Sequence, residues 1–191
     1  MKEEKKEHIM QVALETMKKQ GIRRVTLGDI ARASGMAITS IYYYFPGKNA
    51  LISATFSQFS AIILARIEDV VKSKQTPQQK LIATWEIIFS SIKENGLLLN
   101  MDRKTMTQMV FLMEIIIDQF EARYQKLIRK ILLEGKKTGV FQVEDVDLLS
   151  LMLSVGLSSL VENEKTQKQI LQDGKIIEKM SNLILNGLLT R

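Results

Sequence analysis

The chain has 191 residues, 46% hydrophobic and 25% charged, with a formal net charge of +6, no Cys and a single His. That composition supports a real core, in one medium domain or in a small head with a larger body. It excludes a disulfide framework, a thiolate metal site and a Cys nucleophile, and with His8 alone in a charged stretch it leaves no Ser-His or Cys-His pair and no common zinc site.

The chain opens with MKEEKKEHIM, a charged stretch without the apolar segment of a signal peptide. No apolar run reads as a membrane span, so the expectation is a cytoplasmic protein with no membrane partner. The first helix is expected from about Lys5 to Gln20, with Ile9, Val12, Ala13, Thr16 and Met17 as its inward stripe and Gly21 as its stop. Residues 1–50 hold nine Lys/Arg against five Asp/Glu, whereas 51–191 hold eighteen against sixteen. The positive excess is therefore densest at the start, as phosphate binding requires.

Val25 to Leu51 read VTLGDIARASGMAITSIYYYFPGKNAL. Thr26 with Asp29 three residues on forms a variant of the capping box. Leu27, Ile30 and Ala31 should pack inward, and Gly35 falls where the chain must turn sharply. A second short helix is expected over Ile38 to Tyr44, with Ile41 and Phe45 inward. Thr39, Ser40, Tyr43 and Tyr44 face out, and hydroxyls and phenols suit phosphates and base edges. Pro46 forbids continuation. Lys48 then opens a new helix, bringing a cation and free N–H groups together at a position suited to a phosphate. This is the layout of a helix-turn-helix DNA reader, with Thr26, Thr39, Ser40, Tyr42, Tyr43, Tyr44 and Lys48 as candidate DNA contacts.

These residues resemble the DNA-binding domain of TetR-family bacterial transcriptional regulators. Thr26, Asp29, Ile30, Ala31, Gly35, Tyr42, Tyr44, Phe45, Lys48 and Leu51 fall on the family motif in register, and Ile9, Ala13 and Gly21 match its first helix and stop. Ser34, Ala37 and Ile38 depart from it: Ala37 stands where a capping Ser is common, and Ile38 where a polar or basic residue is frequent. The resemblance implies an all-α protein of about nine helices. A helix-turn-helix DNA-binding head would span 1–47, and a ligand-binding and dimerisation body 48–191.

The remainder reads as helix throughout. A long helix from Lys48 to about Lys72 carries Phe56, Phe59, Ile63 and Ile67. Thr76 caps the next, with Pro77 at its first position, and Leu81, Trp85, Ile88, Phe89 and Ile92 stripe it to about Glu94. Leu97–Thr105 reads as a connector. A helix follows from about Met106 to Lys137, closed by Gly139. The last two are expected near Val146–Glu162 and Gln172–Leu189, joined by the polar loop ENEKTQKQ.

Two body features stand out. Met106, Met109 and Met113 share a helical face, and Trp85 and Phe89 stripe the helix before it. Methionine adapts to irregular space, and such a cluster serves as core, as pocket wall or as both. By the resemblance, Phe59, Ile63, Trp85, Phe89, Met106, Met109 and Met113 would line a site for a small hydrophobic effector. The second feature is LMLSVGLSSLV, small residues interleaved with large ones, followed by an apolar final helix. The pair is either internal core or, as the resemblance implies, a four-helix interface between two copies, through Leu153, Gly156, Leu157, Leu160, Met180, Leu183 and Ile184.

No enzymatic constellation competes. Glu114, Asp118 and Glu121 share a helical face, but a solvated surface beside Arg123 and Lys126 explains them. Neither a catalytic residue, a metal site nor a cofactor is expected. The reading is a homodimeric regulator, most simply a repressor, with double-stranded DNA, a hydrophobic effector and a second copy of itself as partners. Its rivals are a helical protein-interaction module with a basic head and an enzyme housed in the body.

Overall fold

The computed structural model describes residues 2–95, 103–162 and 175–188. These form eight helices: α1 (Lys2–Gln20), α2 (Leu27–Ala33), α3 (Ile38–Tyr44), α4 (Lys48–Lys72), α5 (Pro77–Asn95), α6 (Arg103–Lys137), α7 (Val146–Glu162) and α8 (Ile176–Leu188). The all-α expectation holds, with eight helices among the described residues where about nine were expected. Most of the connector Leu97–Thr105 and the polar loop after α7 lie outside the described residues.

The helix boundaries follow from local chemistry. At α2 the Thr26 hydroxyl accepts from the Asp29 N–H at 3.1 Å, and the Asp29 carboxylate accepts from the Thr26 N–H at 2.9 Å. At α5 the same exchange joins Thr76 to Gln79, at 3.3 and 3.0 Å, ahead of Pro77. Two orphan donors are thereby satisfied at each helix start. Gly21 and Gly35 stop α1 and α2 at φ +84° and +66°, backbone that a side chain makes costly.

The Asp29 carboxyl is held below its ordinary range, first by the Thr26 hydroxyl, then by the Thr26 N–H, with a smaller contribution from Arg32. A folded-state pKa below the unfolded one means that this contribution is complete above about pH 4 and lost as pH falls through the folded value. Asp29→Asn should therefore lower the melting temperature at about pH 7 and change it little at about pH 2. Equal effects at both pH values would show that the carboxylate's charge does not matter to the cap.

The chain divides into two compact units. One comprises Met1–Ser60 and Asn95–Ile117, the other Ala61–Glu94 and Asp118–Arg191, so that α4 and α6 each contribute to both. In the first unit Ile9, Ala13, Met17, Ile30, Ile41, Phe45, Leu51 and Phe56 form a continuous core. Met113 is part of it, with Leu112, Ile116 and Ile117 packed against it.

In the second unit the buried residues include Ile63, Leu64, Ile67, Leu81, Trp85, Ile88, Phe89, Tyr124, Ile128, Ile131 and Leu132. The buried Lys80 ammonium donates to both carboxylate oxygens of Glu134, at 2.9 and 2.7 Å. A buried cation is tolerated only when paired in this way. Gly135 lies directly beneath the Phe141 ring, where a Cβ would come within 2.0 Å of it.

One sequence expectation is corrected. α4 is long and apolar enough, by length and composition, to pass as a membrane span, where the sequence reading expects no such run. Its apolarity has a local use, since Leu51, Ile52, Phe56, Ile63, Leu64 and Ile67 are all buried within the protein.

Candidate nucleic-acid interface

α1, α2 and α3 set the candidate recognition surface. Ile41 and Phe45 are buried in the head core, as is Ile30 on α2, and this fixes the phase of α3. Its opposite side is then forced outward. Tyr42 and Tyr43 retain 53% and 69% of their exposure, Ile38 and Thr39 are exposed, and Ser40 is half-buried. Tyr42 is thus a surface residue rather than a core tyrosine. Tyr44 departs from the outward expectation: it is half-buried, packs against the head core and meets Tyr43 edge-on at 5.1 Å between ring centres.

Two further expected contacts have local duties. The Thr26 hydroxyl also donates to the Asp29 carboxylate, at 2.6 Å, so both its donor and an acceptor site are engaged in the cap. The Lys48 ammonium donates to the Arg23 carbonyl at 2.9 Å and is half-buried. Burial lowers its pKa. Lys48 therefore ties the turn after α1 to the start of α4, and its remaining N–H donors stay available for a phosphate.

Ala37 occupies the N-cap of α3 with extended backbone (φ −65°, ψ 144°) and supplies no side-chain cap. A serine hydroxyl there would accept from the Thr39 N–H at no backbone cost, the Ser40 N–H already donating to the Ala37 carbonyl at 2.9 Å. Ala37→Ser should stabilise the head by about 1 kcal/mol, raising the melting temperature of a chain this size by about 2–4 °C. No rise on calorimetry would mean that the Thr39 donor is already satisfied.

α3 also borders an open cleft of about 310 Å³, lined by Lys5, Met36, Thr39, Ser40, Tyr43 and Tyr44. Lys5 was not singled out from the sequence. It precedes the helix-turn-helix by some twenty residues and only tertiary packing brings it to α3. Among the described residues, no group of three or more His, Cys, Asp or Glu is gathered in a way that could hold a metal ion.

The expected effector residues are divided between the two units. Trp85, Phe89 and Ile63 are buried in the second unit. Phe59 is half-buried and Met113 is buried in the head core, both in the first unit. The Met106 and Met109 side chains lie outside the described residues.

The expected interface residues divide between buried and exposed positions of the single chain. Leu157 is buried within its own unit, as are Ser150 and Ser154, so this face of α7 points inward, and Leu153 is half-buried. The outward stripe is Leu148, Leu151, Met152 and Val155, beside exposed Gly156. On α8, Leu183 is 78% exposed, whereas Met180 and Ile184 are half-buried. Leu160 lies outside the described side chains.

Residues 9–55 match the family described as bacterial regulatory proteins, tetR family. The chain is 25% identical over 131 residues to the fatty acid metabolism regulator protein of Bacillus subtilis, covering 69% of this chain and 68% of that one. It is 25% identical over 87 residues to the HTH-type transcriptional repressor KstR2 of Mycobacterium tuberculosis, covering 46% of this chain but only 44% of that protein. The fold matches the structure of the transcriptional regulator FadR from Bacillus subtilis in complex with stearoyl-CoA, with a TM-score of 0.68 at 23% identity, over 94% of this chain and 95% of that one. With the capped α2, the glycine turn and the outward face of α3 in register with that motif, residues 9–55 form a DNA-binding domain of the TetR family of bacterial transcriptional regulators.

Proposed function

We propose that the protein is a homodimeric transcriptional repressor of the cytoplasm. It binds palindromic operator DNA through α3, and an effector carrying a long acyl chain releases it. The head would be residues 1–47 and the ligand-binding and dimerisation body 48–191.

The observation that carries this reading is the outward face of α3, where Thr39, Ser40, Tyr42 and Tyr43 stand together on a helix locked by Ile41 and Phe45. Hydroxyl groups in that setting reach base edges and phosphates. Lys48 and the Arg23–Arg24 turn supply positive charge at the edge. Ile38, exposed beside them, fits a thymine methyl. Tyr44 and Thr26 act here by holding the surface in shape as much as by touching DNA.

Two copies are required to read a palindrome, because each recognition helix covers one half-site. The exposed stripe Leu148, Leu151, Met152 and Val155, with Leu183, supports α7 and α8 as the interface, since an apolar face of this kind is unfavourable in water. Gly156 lies within that face and permits close approach.

The acyl-chain assignment rests on the second unit's chemistry. Trp85, Phe89, Ile63 and their neighbours offer a largely apolar interior that also buries the Tyr124 hydroxyl. That hydroxyl is fully buried and finds no hydrogen-bond acceptor among the described residues; Thr84 and Trp85 stand beside it and offset the effect of burial in part, but the Thr84 hydroxyl donates to the Leu81 carbonyl at 2.7 Å. Burial holds the phenol far above its ordinary pKa, so it remains a neutral donor. A buried donor without an acceptor is costly and is satisfied by a ligand carbonyl. The named relatives, a fatty acid metabolism regulator and a regulator bound to stearoyl-CoA, point to the same chemistry.

Site selection from a randomised duplex pool tests the DNA reading. The wild type should enrich a palindrome, and Thr39→Ala should enrich a different one, because base contacts carry the sequence information. Identical pools would remove Thr39 from the reading set. Failure of the wild type to enrich any sequence would remove the function.

A further inference from the structure

The family match begins at Ile9, yet α1 begins at Lys2, and the turns before Ile9 reach the reading surface. Lys5 lines the cleft beside α3 with Met36, Thr39, Ser40, Tyr43 and Tyr44. The Lys2 ammonium sits 5.1 Å from the centre of the Tyr43 ring, within range of a cation–π interaction. Helical spacing puts Lys2, Lys5 and Ile9 on one stripe. Ile9 is completely buried in the head core, so the stripe cannot rotate away. Lys6 belongs to another face, where it pairs with Glu3 at 3.7 Å.

We propose that Lys5 and the hydroxyls of Ser40 and Tyr43 form a socket for one backbone phosphate of duplex DNA, beside the base-reading Thr39, with Lys2 holding the Tyr43 ring as its wall. The socket rests on the reading of the head as a duplex binder. Its lining decides the occupant. One cation and four hydroxyl-bearing side chains line it and no carboxylate does, which favours an anion with several acceptor oxygens. The opening is wide and outward, so a polymer backbone can lie across it. Cations in the first turns of a helix oppose its dipole, so Lys2 and Lys5 do not owe their positions to the stability of α1. The consequence is a DNA contact outside the helix-turn-helix, made by a helix that otherwise only supports it.

The test is fluorescence anisotropy with a mixed-sequence duplex of about 30 bp across a salt series, where each phosphate contact adds about one unit of slope. Lys5→Gln should weaken binding several-fold at low salt and flatten the slope by about one unit. Lys5→Arg should restore both. Lys6→Gln, the same charge change one residue away, should leave the slope at its wild-type value. Tyr43→Phe should cost less in the Lys5→Gln background than alone, because the two would share one phosphate. A wild-type slope for Lys5→Gln, or an equal loss for Lys6→Gln, overturns the socket while leaving duplex binding intact. A wild-type protein without salt-dependent binding overturns the underlying reading and the socket with it.

Discussion

Met152→Glu combined with Val155→Glu should yield a helical monomer that no longer holds a duplex carrying two half-sites. Both side chains are exposed in the single chain, at 61% and 48%, so the folded protomer tolerates the substitution. In a symmetric dimer the same patch meets itself, and each replacement acts twice. Four carboxylates would then be buried near one another without partners. Sedimentation should show the monomer, and circular dichroism should show helix content close to wild type. Affinity for the palindrome should fall by about 10²-fold or more, because the second head loses its tether to the first. A stable dimer with unchanged affinity would place the interface elsewhere. Leu157→Glu should behave differently, destabilising the protomer itself, because Leu157 is buried in its own unit. The contrast between two positions on one helix separates a partner-facing face from a core-facing one.

A long-chain acyl thioester should bind the body and release DNA, with Trp85 as its reporter. Trp85 is the only tryptophan and is 1% exposed, so its emission senses any rearrangement of the second unit's interior. Titration with palmitoyl-CoA should shift or quench that emission and weaken palindrome binding by roughly 5–150-fold, the usual range of coupling between sites. Saturating DNA must weaken palmitoyl-CoA binding by the same factor. Tyr124→Phe removes only the buried hydroxyl, so it should lower affinity for the thioester while leaving the protein at least as stable, since an unsatisfied donor is lost. Fluorescence and DNA affinity both unmoved by the thioester would exclude acyl chains as the effector. Effector binding without reciprocal DNA weakening would break the proposed coupling. α4 and α6, which contribute to both units, are the covalent candidates for carrying it.

The local architecture was legible in the amino-acid order because its causes are local. The Thr26–Asp29 cap, the Gly21 and Gly35 stops, the Thr76–Pro77 start of α5 and the α3 span all rest on groups within four residues of one another. Helical phase also told which α3 residues face out, since Ile41 and Phe45 had to face in. Tertiary structure decided whatever depended on a second surface. Tyr44 turned half-inward, its ring packed against the head core. Met113, on a methionine face that matched a pocket wall equally well, went to the head core while Trp85 and Phe89 went to the other unit. On α7 both faces are apolar enough to bury. The serines Ser150 and Ser154 took the inward side with Leu157, and the larger Leu148, Leu151, Met152 and Val155 were left outside. A helix with two candidate apolar faces does not say which one its own chain will cover. Lys5 makes the same point for charge: its neighbours in sequence are Glu4 and Lys6, and only the packing of Ile9 into the head sets it against Ser40 and Tyr43.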